Sequence, residues 1–511
     1  MTTDVRPILS GRQSGLLIAS LMLGTALAAL DVTIVGTALP TIVASLGGVD
    51  LYAWVITVYL LTSTVTVPMY GRLSDIVGRK PIYLSGIIVF LIGSVACGLA
   101  PSMEFLIGAR ALQGIGAGAL LPMSMTIIGD TFTVEERARV QAFIVSVWGV
   151  SSVAGPAAGA FIIGTLPWGW VFLINLPVGV VAMAMLLLNY REKVSRRRQS
   201  IDWLGTILLT VGVTILLFGL QDGASARSAI LLVIAIAILA TFAVVETRVA
   251  SPIVPLSLLR VPVIGIGYLA SVLLGIVQFG VSSFVPLYVQ GAMGGTVISV
   301  GAVVTPMAIG WPIGSLVAGK LIVKRGYRPI LLAGMSSIVV GTLALLLLTP
   351  NRPLAYVFVT VGIIGLGMGL TNPPIIIAFQ NAVAWNQRGI VTSLGQFFRS
   401  IGGSVGVAGM GALINAGLTS RLGPAFDSGG RAIDAVNRVL DPTARSALAP
   451  DIADQVRDAL AGALWTVYTI PAACGVIGLV LIARFFPVGL PGHLAAGGAA
   501  SAKPAPAVES G

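Results

Sequence analysis

The chain alternates between long apolar runs and short polar or basic stretches. A helix that crosses the hydrocarbon core of a bilayer needs about 20 mostly apolar residues. Fourteen runs reach that length, at approximately residues 15–40, 52–70, 81–100, 105–128, 140–163, 169–189, 203–221, 228–246, 263–290, 298–319, 330–349, 354–378, 391–415 and 464–486. The pattern predicts an all-α membrane protein with 14 transmembrane helices.

The first run has a second interpretation as a cleaved secretory signal peptide. Arg6 and Arg12 precede the run, and the sequence Ala-Leu-Ala at residues 26–28 resembles a cleavage site. The apolar stretch continues beyond that point, and 13 further runs follow it. A membrane span is therefore favoured.

Composition agrees with the membrane assignment, because 56% of the 511 residues are hydrophobic and only 10% are charged. A soluble globular protein carries about 25% charged residues, which argues against a soluble enzyme or a nucleic-acid binder. Of the 30 basic residues, 21 fall in the termini and in the loops on the same side as the termini. Basic residues are enriched in cytoplasmic loops, so the distribution predicts a cytoplasmic membrane with both termini cytoplasmic. The net charge of +11 then reflects orientation rather than a nucleic-acid partner.

Cofactor and metal chemistry have little support in the sequence. The two cysteines, Cys97 and Cys474, lie in apolar runs, and the single histidine, His493, lies in a Gly/Ala/Pro-rich tail. These residues cannot supply a disulfide framework, a zinc site or a histidine relay. No nucleotide-binding motif is present, so we expect no metal, no cofactor and no ATP drive. Proton chemistry would have to use carboxylates.

An internal repeat divides the chain into halves. Residues 71–81 align with residues 319–329 at an offset of 248, through shared glycine, leucine and proline positions. At an offset of 251, Gly114, Gly116, Gly118 and Pro122 match Gly365, Gly367, Gly369 and Pro373, while Arg137 and Gly155 match Arg388 and Gly406. Repeats of this kind are common in transporters. We therefore predict a cytoplasmic N-terminus (1–14), a six-helix bundle (15–190), a basic linker with two extra helices (191–262), a second six-helix bundle (263–486) and a disordered cytoplasmic tail (487–511).

Asp31 is the one acidic residue that falls well inside a predicted span. A charge at the bilayer centre costs roughly 2.5–3.5 kcal/mol on insertion scales, so such a residue is functional by default. We predict that Asp31 faces a water-filled cavity and binds and releases protons. Arg110, with Gln113 one helical turn further on, is positioned to pair with it. In the alternative interpretation, Asp31 caps or kinks its own helix near Thr33, and Arg110 is satisfied by carbonyl groups or reaches the interface.

The stretch 71–81 combines turn-forming glycines with a concentrated set of charges. We expect Asp75 to cap a neighbouring helix N-terminus, and the basic residues to pair with Asp75 or with the acidic residues Asp130, Glu135 and Glu136. This arrangement predicts a breakable latch between the bundles, although an ordinary basic turn is the alternative. The latch residues are Gly71, Arg72, Asp75, Gly78, Arg79 and Lys80.

Two glycine-rich helical segments predict close helix packing rather than ligand binding. The first, in the fourth run, superficially resembles a dinucleotide loop but lacks a preceding strand. Small residues allow helix backbones to approach each other in membranes, and proline bends the helix. The packing residues are Gly114, Gly116 and Gly118 in the fourth run and Gly149, Gly155, Pro156 and Gly159 in the fifth.

A substrate cavity with one carboxylate and aromatic walls would suit lipophilic cations. For each aromatic residue, a packing or lipid-facing role is the alternative. The candidate cavity residues are Gln113, Trp54, Trp148, Gln278, Phe279, Phe397 and Arg399.

The outer segment 416–463 carries a pattern typical of short amphipathic helices.

Four of these strings together resemble the major facilitator superfamily, within it the fourteen-helix branch of drug:proton antiporters. Residues 30–35 and 38–40 resemble the first-helix signature of that branch, and residues 71–81 resemble the cytoplasmic loop motif of the superfamily. Arg110, Gln113, Gly114 and Gly116 are similar to the fourth-helix motif. Gly149, Gly155, Pro156 and Gly159 are similar to the fifth-helix motif of exporters, with Ala160 in place of a frequent second glycine.

The resemblance implies a secondary active transporter, not an enzyme, that moves its substrate by alternating access. It implies a multidrug efflux antiporter that exports hydrophobic drug-like compounds, including lipophilic cations, at the expense of the proton gradient. It also implies proton coupling at Asp31 and Arg110 and an interbundle latch at Asp75. We expect a monomer whose partners are substrate, protons and lipid. The alternatives are an exporter of lipid or another metabolite, a metabolite:proton symporter, and a membrane-embedded sensor or enzyme that uses the same fold.

Overall fold

The computed structural model describes most of the membrane region. The described residues are 11–46, 52–190, 192, 202–221, 226–249, 252, 254–295, 299, 303–422 and 450–487. The predicted cytoplasmic N-terminus up to residue 10, the centre of the outer segment at 423–449 and the tail from 488 onward lie outside them. All regular structure in the described part of the chain is helical, as the apolar runs predict.

The first bundle is built from six long helical segments. Its sixth segment is interrupted at Ile174, which leaves one turn before the main helix. The helices are α1 (Gly11–Leu46), α2 (Tyr52–Val77), α3 (Arg79–Gly98), α4 (Met103–Thr131), α5 (Val134–Thr165), α6 (Trp170–Leu173) and α7 (Asn175–Asn189).

The two extra helices follow the basic linker and pack mainly against each other. They are α8 (Trp203–Gln221) and α9 (Ala226–Glu246), followed by the short α10 (Leu256–Leu259). Helix α8 also contacts α2.

The second bundle repeats the six-segment pattern. Its helices are α11 (Pro262–Gly291), α12 (Thr305–Arg325), α13 (Tyr327–Leu346), α14 (Leu354–Asn381), α15 (Arg388–Leu422) and α16 (Pro450–Phe485), with a 3-10 turn (Trp385–Gln387) before α15. The bundles meet where α2 packs on α15 and where α5 packs on α12.

Among the described residues, 11 helical segments are long and apolar enough to cross a membrane. Helices α5, α8 and α12 overlap the three remaining predicted runs. That these three also cross the bilayer, giving 14 spans, stays a prediction.

Both described ends of the predicted outer segment are helical. Helix α15 continues to Leu422 and α16 begins at Pro450, so both ends of the predicted segment 416–463 are extensions of bundle helices. A helix retains its internal hydrogen bonds after it leaves the hydrocarbon core, so polar residues at its ends do not terminate it. The predicted amphipathic residues at 432–440 lie outside the described residues.

The internal repeat is visible in how the helices pack. A Cβ atom placed on Gly86 of α3 would lie 3.2 Å from the carbonyl oxygen of Gly116 in α4. A Cβ placed on the matching Gly334 of α13 would lie 3.0 Å from the carbonyl oxygen of Gly367 in α14. The same pair of small residues therefore brings the same pair of backbones together in each bundle.

Candidate functional site

A fully buried ion pair lies inside the first bundle. Nη1 of Arg110, on α4, donates to Oδ2 of Asp31, on α1, at 2.5 Å, and neither side chain is more than 1% exposed. Nε of Arg110 donates to the carbonyl oxygen of Val55 at 3.2 Å, and the guanidinium lies 4.0 Å from the centre of the Tyr59 ring. The two charges thus compensate each other where water is excluded.

Neutral amide side chains complete the environment of Asp31. Gln113 donates to Oδ1 at 2.8 Å, and Asn175, at the start of α7, donates to the same oxygen at 3.2 Å. Oε1 of Gln113 in turn accepts from Arg110 at 2.7 Å, and the Ser94 hydroxyl accepts from both amides. This buried polar cluster, consisting of Asp31, Ser94, Arg110, Gln113 and Asn175, connects α1, α3, α4 and α7.

The position of the cluster corrects one expectation and shows the partners of both charges. Asp31 is 0% exposed, so in this conformation it faces the interior of its own bundle and not a water-filled cavity. The nearby Thr33 hydroxyl donates to the carbonyl oxygens of Ala29 and Leu30, as hydroxyl groups commonly do in helices. Arg110 does not reach toward an interface, because its guanidinium is bound within the cluster.

The predicted latch residues form a second charged group at the predicted cytoplasmic end of the bundles. Arg79, at the start of α3, lies 2.7 Å from Asp75 and 3.0 Å from Asp130, at the end of α4. Its Nη2 also donates to the carbonyl oxygen of Trp385 in the second bundle at 3.0 Å, and its guanidinium lies 4.4 Å from the Trp385 ring centre. Arg79 therefore links the ends of α2 and α4 to the 3-10 turn of the second bundle.

Asp75 caps the first turn of α15, across the bundle interface. Its carboxylate accepts from the backbone N–H groups of Gly389 at 3.1 Å and Ile390 at 2.9 Å. These groups belong to the unpaired N–H groups of a helix start, which carry partial positive charge. The cap requires a tight approach, since a Cβ on Gly71 would lie 2.5 Å from Cβ of Ser393. Gly78, with a φ of 110°, supplies the turn between α2 and α3.

The other two basic residues of the stretch 71–81 differ in their contacts. Nζ of Lys80 donates to the carbonyl oxygens of Leu187 and Tyr190, at 3.0 and 2.5 Å, so it caps the end of α7 rather than pairing with Asp75. Nε of Arg72 has no hydrogen-bond partner among the described residues. Of the acidic residues predicted as partners, Asp130 pairs with Arg79, Glu136 forms a capping box with Thr133 at the start of α5, and the side chain of Glu135 lies outside the described residues.

The glycines of the fourth run pack against α2 and α3. Gly114 and Gly118 face Thr62 and Thr66 of α2, and Gly116 faces the Phe90 backbone, so closely that an added Cβ would overlap each. In α5, Gly155 packs on Thr33 of α1 in the same way, a Cβ on Gly149 would lie 3.1 Å from Cβ of Ala308 in α12, and Gly159 is buried. The side chain of Pro156 lies outside the described residues.

A small cavity lies between the bundles, with room for about one water molecule in this conformation. Arg399 lines it from α15, and the other lining residues come from α4, α11, α14 and α15. They are Pro122, Met125, Ser271, Asn372, Ile375, Ile376, Phe379, Thr392, Gly395 and Gln396. Of the predicted cavity residues, only Arg399 is in this lining.

The other predicted cavity residues have different surroundings in this conformation. Trp54 stacks on Phe218 of the extra helix α8, with ring centres 4.7 Å apart, and Phe397 is buried beside Phe398. Gln113 belongs to the buried polar cluster. Trp148 and Phe279 are exposed on the surface of their helices. Gln278 is half-buried, and its side-chain oxygen has no hydrogen-bond partner among the described residues.

Sequence reasoning missed several members of both charged groups. Asn175 and Ser94 carry no charge, so a search for charged residues within spans does not find them, and Trp385 contacts Arg79 through its backbone and its ring. Glu192 accepts from the N–H groups of Arg79 and Lys80 at 2.6 and 2.9 Å. Arg388 was detectable, because the internal repeat matches it to Arg137.

No cluster of three or more histidine, cysteine or acidic residues with metal-site geometry occurs in the described part of the chain.

Comparisons with known proteins agree with this architecture. The family description "Major Facilitator Superfamily" matches residues 21–407. The chain is 40% identical over 430 residues to Multidrug transporter protein MdtP of Bacillus subtilis (strain 168), covering 82% of this chain and 80% of the relative. It is 34% identical over 466 residues to Multidrug resistance protein 3 of the same strain, covering 88% and 91%. Among solved structures, the proton:xylose symporter XylE has the same fold, with a TM-score of 0.61 at 14% identity, covering 94% of this chain and 98% of that chain.

The family match spans both bundles, and the relatives are similar over most of their length. These findings confirm the predicted fold class and the multi-pass membrane location. They also exclude the interpretation as an enzyme. The chain belongs to the major facilitator superfamily and is a transporter, similar over most of its length to a multidrug transporter and a multidrug resistance protein.

Proposed function

We propose that the protein is a proton-coupled antiporter that exports hydrophobic drug-like compounds by alternating access. The observation that carries the proposal is the fully buried carboxylate of Asp31, held by one guanidinium and two amide groups. Such an ionisable residue within a span is costly and marks a coupling site by default. The antiporter needs no cofactor, works as a monomer, and lies in the cell membrane with both termini cytoplasmic.

Protonation of Asp31 removes the charge that Arg110 compensates. Arg110 is then a buried, unpaired cation, which favours a rearrangement that gives it new partners. The proton state of one carboxylate thereby biases the packing of α1 against α4. A ligand, here the proton, shifts a conformational equilibrium through its different affinities for the two states.

Helix α5 supplies a route from the buried polar cluster to the second bundle. Thr33 lies two residues beyond Asp31 on α1 and packs on Gly155 of α5. Nearer the start of α5, Gly149 packs on Ala308 of α12. A shift of α1 is therefore transmitted to the second bundle through these two close contacts of α5.

The latch at the predicted cytoplasmic end defines one of the two states. In this conformation Asp75, Arg79 and Asp130 connect the bundles and close that end. Release of these contacts opens the path through which a compound enters from the cytoplasm. The ion pair between Asp31 and Arg110 and the closed latch occur together, as expected for a proton-free transporter that faces outward.

The test uses inverted membrane vesicles with an imposed proton gradient. Cationic ethidium, a neutral dye and an anionic dye are added separately, and collapse of the gradient is followed for the wild type and for Asp31→Asn. Glu104→Gln is the matched control, because Glu104 lies in the first turn of α4 and is exposed to solvent. We expect collapse with at least one compound in the wild type and in the control, and none in Asp31→Asn.

Other outcomes contradict parts of the proposal. If the wild type collapses the gradient with none of the compounds, drug:proton antiport is wrong and export of lipid or another metabolite takes its place. If Asp31→Asn performs as well as the wild type, antiport stands and Asp31 is not the coupling residue.

A further inference from the structure

Arg399 is a buried cation without a counterion among the described residues. Its side chain is 8% exposed and lines the cavity between the bundles. Its Nη2 donates to Oδ1 of Asn372, and its guanidinium lies 5.8 Å from the ring centre of Trp311. A guanidinium has five N–H donors, and the structure assigns an acceptor to one of its nitrogen atoms.

The sequence explains why Arg399 has no acidic partner. Between Glu246 and Asp427 the chain contains no aspartate or glutamate, so helices α11 to α15 offer no carboxylate. The buried carboxylates described in the first bundle are already paired, Asp31 with Arg110 and both Asp75 and Asp130 with Arg79. A buried charge without a partner is costly, and one that lines a cavity is a candidate to receive its counterion from a ligand.

The surroundings of Arg399 are rich in groups that suit an anion. Nε1 of Trp311, a residue 8% exposed, has no acceptor among the described residues, and an indole N–H is only a donor. Ser271 and Thr392 also line the cavity; in this conformation the Ser271 hydroxyl donates to the carbonyl oxygen of Gly267, and the Thr392 hydroxyl oxygen accepts from Gln380. Met125, Ile376 and Phe379 supply its apolar wall. The cavity therefore combines uncompensated positive charge with apolar surface.

We propose that Arg399 is the anion-binding subsite of the transport cavity, and that the protein exports hydrophobic compounds that carry a carboxylate or sulfonate group. The anionic group binds the guanidinium of Arg399, and the apolar part of the compound contacts the cavity wall. This inference rests on the proposed export function and reverses the expected charge preference, because a lipophilic cation would be repelled by Arg399. The cavity in this conformation is too small for such a compound, so binding requires the opening that alternating access provides.

The experiment compares three probes with one aromatic ring system and fixed charges. They are 1-pyrenesulfonate, its neutral dimethyl sulfonamide and 1-pyrenylmethyl-trimethylammonium. Binding to the purified full-length protein is measured by fluorescence titration, and counterflow of each probe is measured in proteoliposomes without a proton gradient. The variants are Arg399→Gln, Arg399→Lys and the control Arg352→Gln, an exposed arginine in the loop before α14.

We expect the wild type and Arg352→Gln to bind the sulfonate more tightly than the cation. Loss of a hydrogen-bonded charged group corresponds to about a tenfold to hundredfold loss of affinity. Arg399→Gln should therefore weaken sulfonate binding by about that factor while changing binding of the neutral sulfonamide less than twofold. Arg399→Lys should restore part of the sulfonate affinity, since it keeps the charge but not the fork of donors.

Three outcomes overturn the inference. If Arg399→Gln weakens all three probes equally, Arg399 stabilises the bundle and does not select an anion. If the wild type binds and exchanges the cation more tightly than the sulfonate, the charge preference is wrong although export stands. Absence of binding and exchange for all three probes overturns both this inference and the export of hydrophobic compounds.

Discussion

Nη1 of Arg388 lies 3.5 Å from Oδ1 of Asp130, across the interface between the bundles. Its repeat mate, Arg137, makes the reverse contact, in which Nη1 donates to Oδ1 of Asn381 at 3.2 Å. Arg137 and Arg388 differ by 251 positions, and so do Asp130 and Asn381. The internal repeat therefore relates the two contacts, with the roles of the two bundles exchanged. The acceptor is a carboxylate in one contact and an amide in the other.

Replacing Asn381 by aspartate should strengthen the closed latch, because it creates a second ion pair at the position related by the repeat. A hydrogen bond to a charged group is worth about 1.5–3 kcal/mol, which is enough to shift the equilibrium by about tenfold or more. We expect Asn381→Asp to slow export and to increase the closed population. The distance between spin labels at positions 139 and 324, one on each bundle, measures that population.

The matched variant of the latch is Asp130→Asn, which makes both acceptors amides. It should shift the same distance distribution toward the open form. A distribution that is unchanged in both variants would show that these contacts do not determine closure of this end.

Removing both charges of the ion pair between Asp31 and Arg110 should restore stability but not proton-coupled export. Asp31→Asn leaves a buried guanidinium without a counterion, and breaking a buried pair in this way costs about 3–5 kcal/mol. The double variant Asp31→Asn/Arg110→Gln removes both charges and should regain most of this stability. Both variants should lack proton-coupled export.

Thermal unfolding of the purified variants, followed with a thiol-reactive dye that reports exposure of the buried Cys97 and Cys474, measures the first effect. The vesicle assay measures the second. A double variant that is less stable than Asp31→Asn would contradict the pairing argument.

Gly116→Ala should destabilise the first bundle, because the new methyl group would overlap the backbone of Phe90 in α3. Overpacking of this kind costs about 1–3 kcal/mol. Gly108→Ala is the matched control on the same helix, since a Cβ there meets no atom within 4 Å. The measurement is the midpoint of thermal unfolding, and equal midpoints for the two variants would refute the packing role of Gly116.

Asp75 combines a helix cap with an ion pair, and two substitutions separate these roles. Asparagine keeps an oxygen that can accept from the N–H groups of Gly389 or Ile390, but it loses the charge that Arg79 compensates. Alanine loses both, and the loss of a cap alone costs about 1 kcal/mol. We expect initial export rates to fall in the order wild type, Asp75→Asn, Asp75→Ala. If the two variants are equally impaired, the ion pair alone accounts for the role of Asp75.

The sequence alone was sufficient for the fold and for the transporter family. A membrane span must satisfy its backbone hydrogen bonds internally, so long apolar runs are helices whatever surrounds them. The repeat at offsets of 248 and 251 divided these helices into two bundles. The rarity of charges within spans drew attention to Asp31 and Arg110 before any contact was known.

Only the tertiary structure decided which groups meet. Asn175 donates to Asp31, which lies 144 positions away in the sequence, and Asp75 accepts from Ile390, which lies 315 positions away. No local sequence pattern relates residues so far apart. The predicted cavity residues show the same limit, because Trp54 packs against Phe218 while Arg399 lines the cavity. A span that is apolar on every side has no hydrophobic face to orient it, so its rotation depends on how neighbouring helices pack. That rotation determines whether a side chain contacts lipid, another helix or the substrate.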